Sequence, residues 1–352
     1  MASFWRLRTH PHLTSLLDSS HRDLERETDS LKWLSLVVLL LVSLTGLAGA
    51  QVVPRPRPTE LMIVTGPEPG EYFQMGRDVR RLLQEVAPEA NIDLAVVPSQ
   101  GALQNVIDVF RFSSMQLGIT QGDVLSYLEI YARGDPDARR VIGGLQIVGR
   151  LYDEDVYLFA RPGINSLADL SGKRVDIGPP GSGTTVTSLV LLHLAGATPR
   201  EVTNFIDVNT AITALRRGRI DAFFRVIATP AAYLRDGISV SHGFVLVPIK
   251  LDPRPADAGL TQHYDPSVIR ASAYPWLDRD VETVRVKTAV VTAGVPSGSA
   301  QCDAIARLVR AVIGNRMWLR EHGASQWRDF VNNPAVVLAD PRVSPCAAPG
   351  YR

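Results

Sequence analysis

The chain has 352 residues, 45% of them hydrophobic and 21% charged, with 37 Lys and Arg against 36 Asp and Glu. A balanced, apolar-rich composition excludes a disordered tail protein and a polybasic nucleic-acid binder. At roughly 150 residues per domain the length predicts about two domains, each large enough to bury its own core.

Residues 1–31 form a polar arm, and residues 32–50 contain an uncharged run, Leu34 to Ala50, that reads as membrane-inserting. Its length lies at the lower edge of the range of about 17–25 residues for a spanning helix, and it ends in Ala48-Gly49-Ala50, a form that signal peptidase cleaves. A cleaved signal segment and a transmembrane anchor both stay open. The arm before it carries five basic and five acidic side chains, unlike a short cationic signal n-region. Arg22, Arg26 and Lys32 before the run against Arg55 and Arg57 after it place the N-terminus inside and the larger part outside. Residues 51–59 hold Pro54-Arg55-Pro56-Arg57-Pro58, a stiff linker. The chain has two cysteines, Cys302 and Cys346; an oxidising compartment would pair them, the alternative being two buried thiols.

From residue 60 apolar strands alternate with amphipathic helices, the pattern of an α/β protein whose parallel sheet is covered on both faces. Leu61–Gly66, Ile92–Val97 and Gln116–Thr120 read as strands, with helices over Tyr72–Val86 and Ala102–Phe112 between them. Their carboxyl-terminal turns converge on one candidate site. Two apolar stretches follow, Leu145–Val148 and Val156–Ala160, with Asp153-Glu154-Asp155 read as a solvated turn between strands. A second unit then begins: strand Arg174–Ile177, glycine-rich turn Gly178–Thr185, helix Val186–Ala195, helix Ile212–Arg217, strand Ile220–Phe224, helix Pro230–Arg235 and strand Phe244–Ile249. Asp252–Asp265 reads as a long loop, Val284–Thr292 as a returning strand, and Gln301–Ile313 and Arg316–His322 as closing helices. The expected architecture is a two-lobed periplasmic binding protein, type II-like, with lobe 1 at 60–158 and 286–352, lobe 2 at 159–285, and a hinge of two crossing strands.

The turn Gly178-Pro179-Pro180-Gly181-Ser182-Gly183-Thr184-Thr185 is the sharpest local feature. Thr184 stands where a phosphate loop needs Lys, and Pro180 removes the nucleophile-elbow reading of Ser182. Backbone N–H groups at a helix N-terminus, with the hydroxyls of Ser182, Thr184 and Thr185, would seat an anion without a catalyst; a capped helix with no ligand is the alternative. The histidines show no metal-ligand spacing, so neither a metal nor a cofactor is expected, and no catalytic residue is assigned.

These residues resemble the TAXI family, the solute-receptor subunits of TRAP (tripartite ATP-independent periplasmic) transporters. The resemblance rests on Thr65-Gly66-x-x-x-Gly70-x-Tyr72, Ile119-Thr120-Gln121-Gly122-Asp123, Asp169–Val175, the Gly178–Thr184 turn, Ile220–Phe224 and Tyr274-Pro275, in that order. It implies a receptor, not an enzyme, that closes on a small organic anion, an amino acid such as glutamate or a dicarboxylate, and delivers it to transporter subunits. Tyr72 would cover the ligand, Ser99 and Asn105 would hydrogen-bond it, Gln121 and Asp123 would end the third strand with Asp123 meeting an ammonium, and Gly181, Ser182, Gly183, Thr184 and Thr185 would form the anion seat. Arg225 stands where relatives carry an apolar or small residue, and would either add a carboxylate contact or face solvent. A membrane-tethered ligand sensor on the same fold is the alternative function.

Overall fold

The computed structural model describes residues 57–352 apart from 206, 252–257 and 331–332. The arm and the Leu34–Ala50 run lie outside these residues. Among the described residues no helix is long and apolar enough to cross a membrane.

The first lobe begins with β1 (Thr59–Val64), α1 (Glu71–Glu85), β2 (Ile92–Val97), α2 (Ala102–Arg111) and β3 (Leu117–Gln121), each strand parallel to its neighbour in the order β2-β1-β3. Helix α1 forms because Tyr72, Met75, Leu82 and Leu83 fall on one face and bury against that sheet. Burying a side chain the size of Leu82 contributes about 1.5–3 kcal/mol each time. Two helices absent from the sequence reading, α3 (Val124–Tyr131) and α4 (Pro136–Gly144), follow β3 directly. Asp135 caps α4 by accepting from the Asp137 N–H, and Pro136 takes the first helical position.

The next element corrects the sequence reading. Leu145–Val148 and Val156–Ala160 are not separate strands: Gln146–Ala160 is one 15-residue strand, β4, and Asp153-Glu154-Asp155 lies within it. Three consecutive carboxylates suggested a turn, but β10 (Val281–Thr292) pairs antiparallel along β4, matching Arg285 to Asp155, Val286 to Glu154 and Lys287 to Asp153. Asp155 and Glu154 are each only 4% exposed. Asp155 is compensated by Arg285 at 3.2 Å and by the hydroxyls of Thr229 and Ser267, both at 2.6 Å. That compensation comes from segments 74–130 residues away, which no local pattern reveals.

Strand β4 crosses between lobes. Its first half, with Val148, Leu151 and Tyr152, joins the first core, and Val156, Leu158 and Ala160 join the second. The second lobe continues with β5 (Arg174–Asp176), α5 (Gly183–Leu194), β6 (Glu201–Thr203), α6 (Val208–Arg216), β7 (Ala222–Ile227), α7 (Ala232–Gly237), β8 (Val245–Leu246), a short helix α8 (Ala258–Thr261) and β9 (Tyr264–Ile269). The expected Phe244–Ile249 strand contracts to two residues, α5 starts three residues earlier than expected, and β9 begins inside the segment expected as a loop. The whole sheet runs β2-β1-β3-β10-β4-β7-β5-β6, with β8 beside β4 and β9 beside β10. Val190 and Leu191 of α5 cover one face of the second-lobe sheet; Ala211 and Leu215 of α6 and Leu234 of α7 cover the other. The result is a two-lobed α/β architecture with β4 and β10 running through both lobes.

The chain closes on the first lobe through α9 (Ala300–Gly314), α10 (Arg316–His322) and α11 (Pro334–Leu338). Cys302 of α9 and Cys346 form a disulfide, with Cα atoms 4.7 Å apart. Trp327, 1% exposed, donates its indole N–H to Asp78 Oδ2 at 3.0 Å and anchors this segment to α1.

Candidate functional site

A cleft of about 290 Å³ opens between the lobes where the strands end. Its first-lobe wall is Gly66, Gly70, Glu71 and Tyr72 after β1, Gln100 to Ala102 after β2, and Gln121 at the end of β3. Its second-lobe wall is Pro179, Ser182, Gly183 and Thr184 before α5, Arg225 to Ile227 of β7, and Tyr233. Glu154, on the crossing strand, lies between the two walls. Volume alone does not select this cleft, since a hollow of about 540 Å³ lies against Tyr264 and Glu282. The convergence of turns from both lobes does, because in open α/β sheets ligands sit beyond the carboxyl ends of strands.

Of the residues expected to bind ligand, Tyr72, Gln121, Ser182, Gly183, Thr184 and Arg225 line the cleft. Ser99, Asn105, Asp123, Gly181 and Thr185 do not. Ser99 donates to Asn105 Oδ1 at 2.5 Å, and Asn105 Nδ2 donates to the carbonyls of Thr65 and of Ile119, the latter at 2.6 Å. Their side chains fasten the ends of β1, β3 and α2 together. Asp123 is fully buried behind the wall and accepts from Thr187 at 2.6 Å and Tyr264 at 2.8 Å, so it joins α3 of one lobe to α5 and β9 of the other. Burial pushes its carboxyl up to about 6.

The glycine-rich turn is more economical than its composition suggests. Ser182 Oγ is the N-cap of α5 and accepts from the Thr185 N–H at 3.2 Å. Thr185 donates to the Pro179 carbonyl at 2.6 Å. The Gly181 carbonyl accepts the N–H groups of Leu103 and Gln104, at 3.1 and 3.2 Å, so the turn of one lobe sits on the N-terminus of α2 in the other. What remains for a ligand is the N–H of Gly183 and of Thr184, neither of which has an acceptor among the described residues. Thr184 Oγ1 accepts from the Val226 N–H at 3.2 Å and keeps its own proton to donate. Gly183 lets the two walls meet closely: a Cβ there would lie 2.0 Å from Gln121 Oε1, and the Gln121 amide would have to shift.

Arg225 does not face solvent, one of the two placements expected for it. It lines the cleft at 5% exposure, and its Nη1 pairs with the fully buried Asp176 at 3.0 Å while Nη2 donates to the Asp207 carbonyl at 3.4 Å. Its positive charge therefore borders the Gly183–Thr184 end of the cleft in a fixed position.

The opposite end is acidic, which the sequence reading missed. Tyr72 donates to Glu154 Oε2 at 2.9 Å, Gln121 Nε2 donates to the same oxygen at 2.5 Å, and Tyr152 Oη lies 3.1 Å from Glu71 Oε2 and 3.3 Å from Glu154 Oε1. Burial, reinforced by the charge of Glu71, pushes Glu154 up to about 8. Burial likewise raises Glu71 to about 7, against the opposing effect of hydrogen bonds from Tyr152, Ala228 and Gln326. Period-two alternation places Tyr152 and Glu154 on one face of a strand, the one signal that could have found them. Among the described residues no group of three or more His, Cys, Asp or Glu is arranged to hold a metal ion.

The described residues form two α/β lobes joined by crossing strands, with polar groups from both converging on a cleft. The chain belongs to the NMT1-like family, whose model matches residues 63–315. Solved structures similar to it include the periplasmic aliphatic sulphonate binding protein SsuA from Escherichia coli, at 17% identity over 77% of this chain and 78% of that one, with a TM-score of 0.41. XAC2383 from Xanthomonas citri, bound to chloride ion, is similar at 14% identity over 83% and 97%, with a TM-score of 0.46. The GluR0 ligand-binding core in complex with L-glutamate is similar at 12% identity over 79% and 100%, with a TM-score of 0.42.

Proposed function

We propose that the chain is an extracytoplasmic solute receptor that holds a small organic anion, an amino acid such as glutamate or a dicarboxylate, between its lobes. The observation that carries this reading is the unpaired pair of N–H groups at Gly183 and Thr184, beside the fixed charge of Arg225, in the interlobe cleft. A carboxylate placed there accepts two backbone N–H bonds at the positive end of a helix dipole. The volume of about 290 Å³ is at the small end of ligand pockets, which run to roughly 300–1,000 Å³, and suits a solute of amino-acid size. The hinge would fall where β4 and β10 cross, dividing 60–158 and 286–352 from 159–285. Delivery to TRAP-type transporter subunits, a periplasmic location and membership of the TAXI group rest on the motif resemblance, and tethering to the inner membrane on Leu34–Ala50.

A thermal-shift screen of the purified chain against amino acids and di- and tricarboxylates tests the receptor reading. Stabilisation by at least one of these is expected, since a ligand at 100 times its Kd adds about 2.7 kcal/mol to the folded state. Absence of any shift across the panel would refute it. The second reading, a membrane-tethered sensor using the same cleft, is favoured by the polar arm of residues 1–31 ahead of the uncharged run. Co-purification without any multi-span transporter subunit, alongside ligand binding, would select it.

A further inference from the structure

The anion seat fills one end of the cleft, and the wall beside it has a different chemistry. Three donors mark the seat, each without an acceptor among the described residues: the N–H groups of Gly183 and Thr184 and the hydroxyl proton of Thr184, a residue 8% exposed that lines the cavity. Next to them Pro179, Val208, Val226, Ile227 and Tyr233 line the same cavity from the second lobe. Val208 and Ile227 are half-buried and pack against the cluster that holds Leu215, Phe223 and Leu234, so this apolar wall is fixed from behind by the core. A second carboxylate finds no comparable seat. The N-terminus of α2 also reaches the cleft, but its Leu103 and Gln104 N–H groups are taken by the Gly181 carbonyl, at 3.1 and 3.2 Å. Arg225, the one Lys or Arg lining the cavity among the described residues, is committed to Asp176. Burying a carboxylate without a partner is costly, whereas covering an aliphatic wall is favourable in proportion to the area removed from water.

Resting on the receptor reading, we propose that the solute carries a single carboxylate on an apolar body, the carboxylate on Gly183 and Thr184 and the hydrocarbon along Val208, Ile227 and Tyr233. This narrows the receptor reading against glutamate and the dicarboxylates. Their second carboxylate would end against the aliphatic wall or beside Glu71 and Glu154, and neither place offers it a cation among the described residues. A hydrocarbon chain or ring loses nothing at the wall and takes water away from both surfaces. Selectivity then comes from the second lobe, which supplies the seat and the wall together, so that the distance between them sets which solutes fit both.

The test is isothermal titration calorimetry of the purified full chain at pH 7 with two homologous series, the straight-chain monocarboxylates from propionate to hexanoate and the dicarboxylates from succinate to adipate, and with L-leucine against L-glutamate. Affinity is expected to climb about fourfold per methylene along the monocarboxylates, the effect of one buried CH₂, until the chain outgrows the cavity of about 290 Å³. In each pair that binds, hexanoate with adipate and L-leucine with L-glutamate, the apolar member should be about tenfold tighter or more. Val208→Thr and Ile227→Thr, which put a hydroxyl on the wall, should each flatten the climb. Monocarboxylates that bind without a climb, or a doubly anionic member as tight as its apolar partner, would overturn the apolar-bodied solute and leave the receptor reading standing. A climb untouched by both variants would overturn the assignment of the hydrocarbon to this wall. No binding by any member would overturn both readings. Should one variant fail to fold, the two series in the unaltered chain still decide.

Discussion

Glu154 makes the stability of the unliganded protein depend on pH in an unusual direction. Its folded-state value of about 8 lies above the ordinary value of 4.5. The folded chain therefore holds a proton that the unfolded chain has lost throughout the window between those values. Stability that is present below pH 4.5 is lost as pH rises through 8, the reverse of a salt-bridged carboxylate. Between pH 5 and pH 9 the linkage relation gives a loss of about 4 kcal/mol from this group alone. Glu71, at about 7, and Asp123, at about 6, act in the same direction; His263, depressed by burial to about 4, acts against them. Glu154→Gln isolates the term, because the amide keeps the size of the protonated acid and cannot ionise. Urea unfolding of both proteins at pH 5, 7 and 9 is the assay. The variant should match the unaltered protein within about 1 kcal/mol at pH 5 and exceed it by several kcal/mol at pH 9. Parallel stability curves would show that Glu154 ionises in the folded state as it does in water, and would refute the account of the buried acidic corner.

Gly183→Ala should weaken ligand binding at least tenfold, about 1.4 kcal/mol, with a smaller effect on folding, because its Cβ would meet Gln121 Oε1 at 2.0 Å and push the walls apart; calorimetry with a binding amino acid or dicarboxylate measures it. Asp123→Ala should destabilise the chain by about 2–5 kcal/mol in urea unfolding, since Thr187 and Tyr264 both lose the acceptor that joins the lobes. Reduction of Cys302–Cys346, which spans 44 residues, should cost up to about 4 kcal/mol by the loop-entropy relation, read as a lower Tm under reductant.

Much of the fold is legible in the sequence where the forces are local. The β1–α1–β2–α2–β3 run is written in its periodicity, whereas α5 begins at Gly183 behind its Ser182 N-cap, three residues before the apolar run that marks it in the sequence. The candidate site is less legible because the same residue types serve two purposes. Ser and Thr in a glycine turn signal free hydroxyls, yet Ser182 and Thr185 spend theirs within the turn, and the backbone N–H groups of Gly183 and Thr184 and the hydroxyl proton of Thr184 are what is left over among the described residues. Ser99 and Asn105 stand at a strand end where ligand contacts belong, but they donate to the carbonyls of Thr65 and Ile119 instead.

The largest departure, Asp153-Glu154-Asp155, has a physical cause that also bears on function. Consecutive carboxylates are tolerated in the middle of a sheet only when each finds a separate answer to its burial. Asp153, partly exposed, lies 3.3 Å from Arg150; Asp155, on the same face of β4 by alternation, is neutralised by Arg285 and bonded by Thr229 and Ser267. Glu154 points to the opposite face, where among the described residues it has hydroxyl and amide donors but no cation, and its answer is to hold a proton. A group in that state is poised, because any cation delivered to the cleft recovers the cost of ionising it. The strand that joins the lobes thus carries, between the two cleft walls, a carboxyl whose burial is answered by protonation rather than by an ion pair among the described residues.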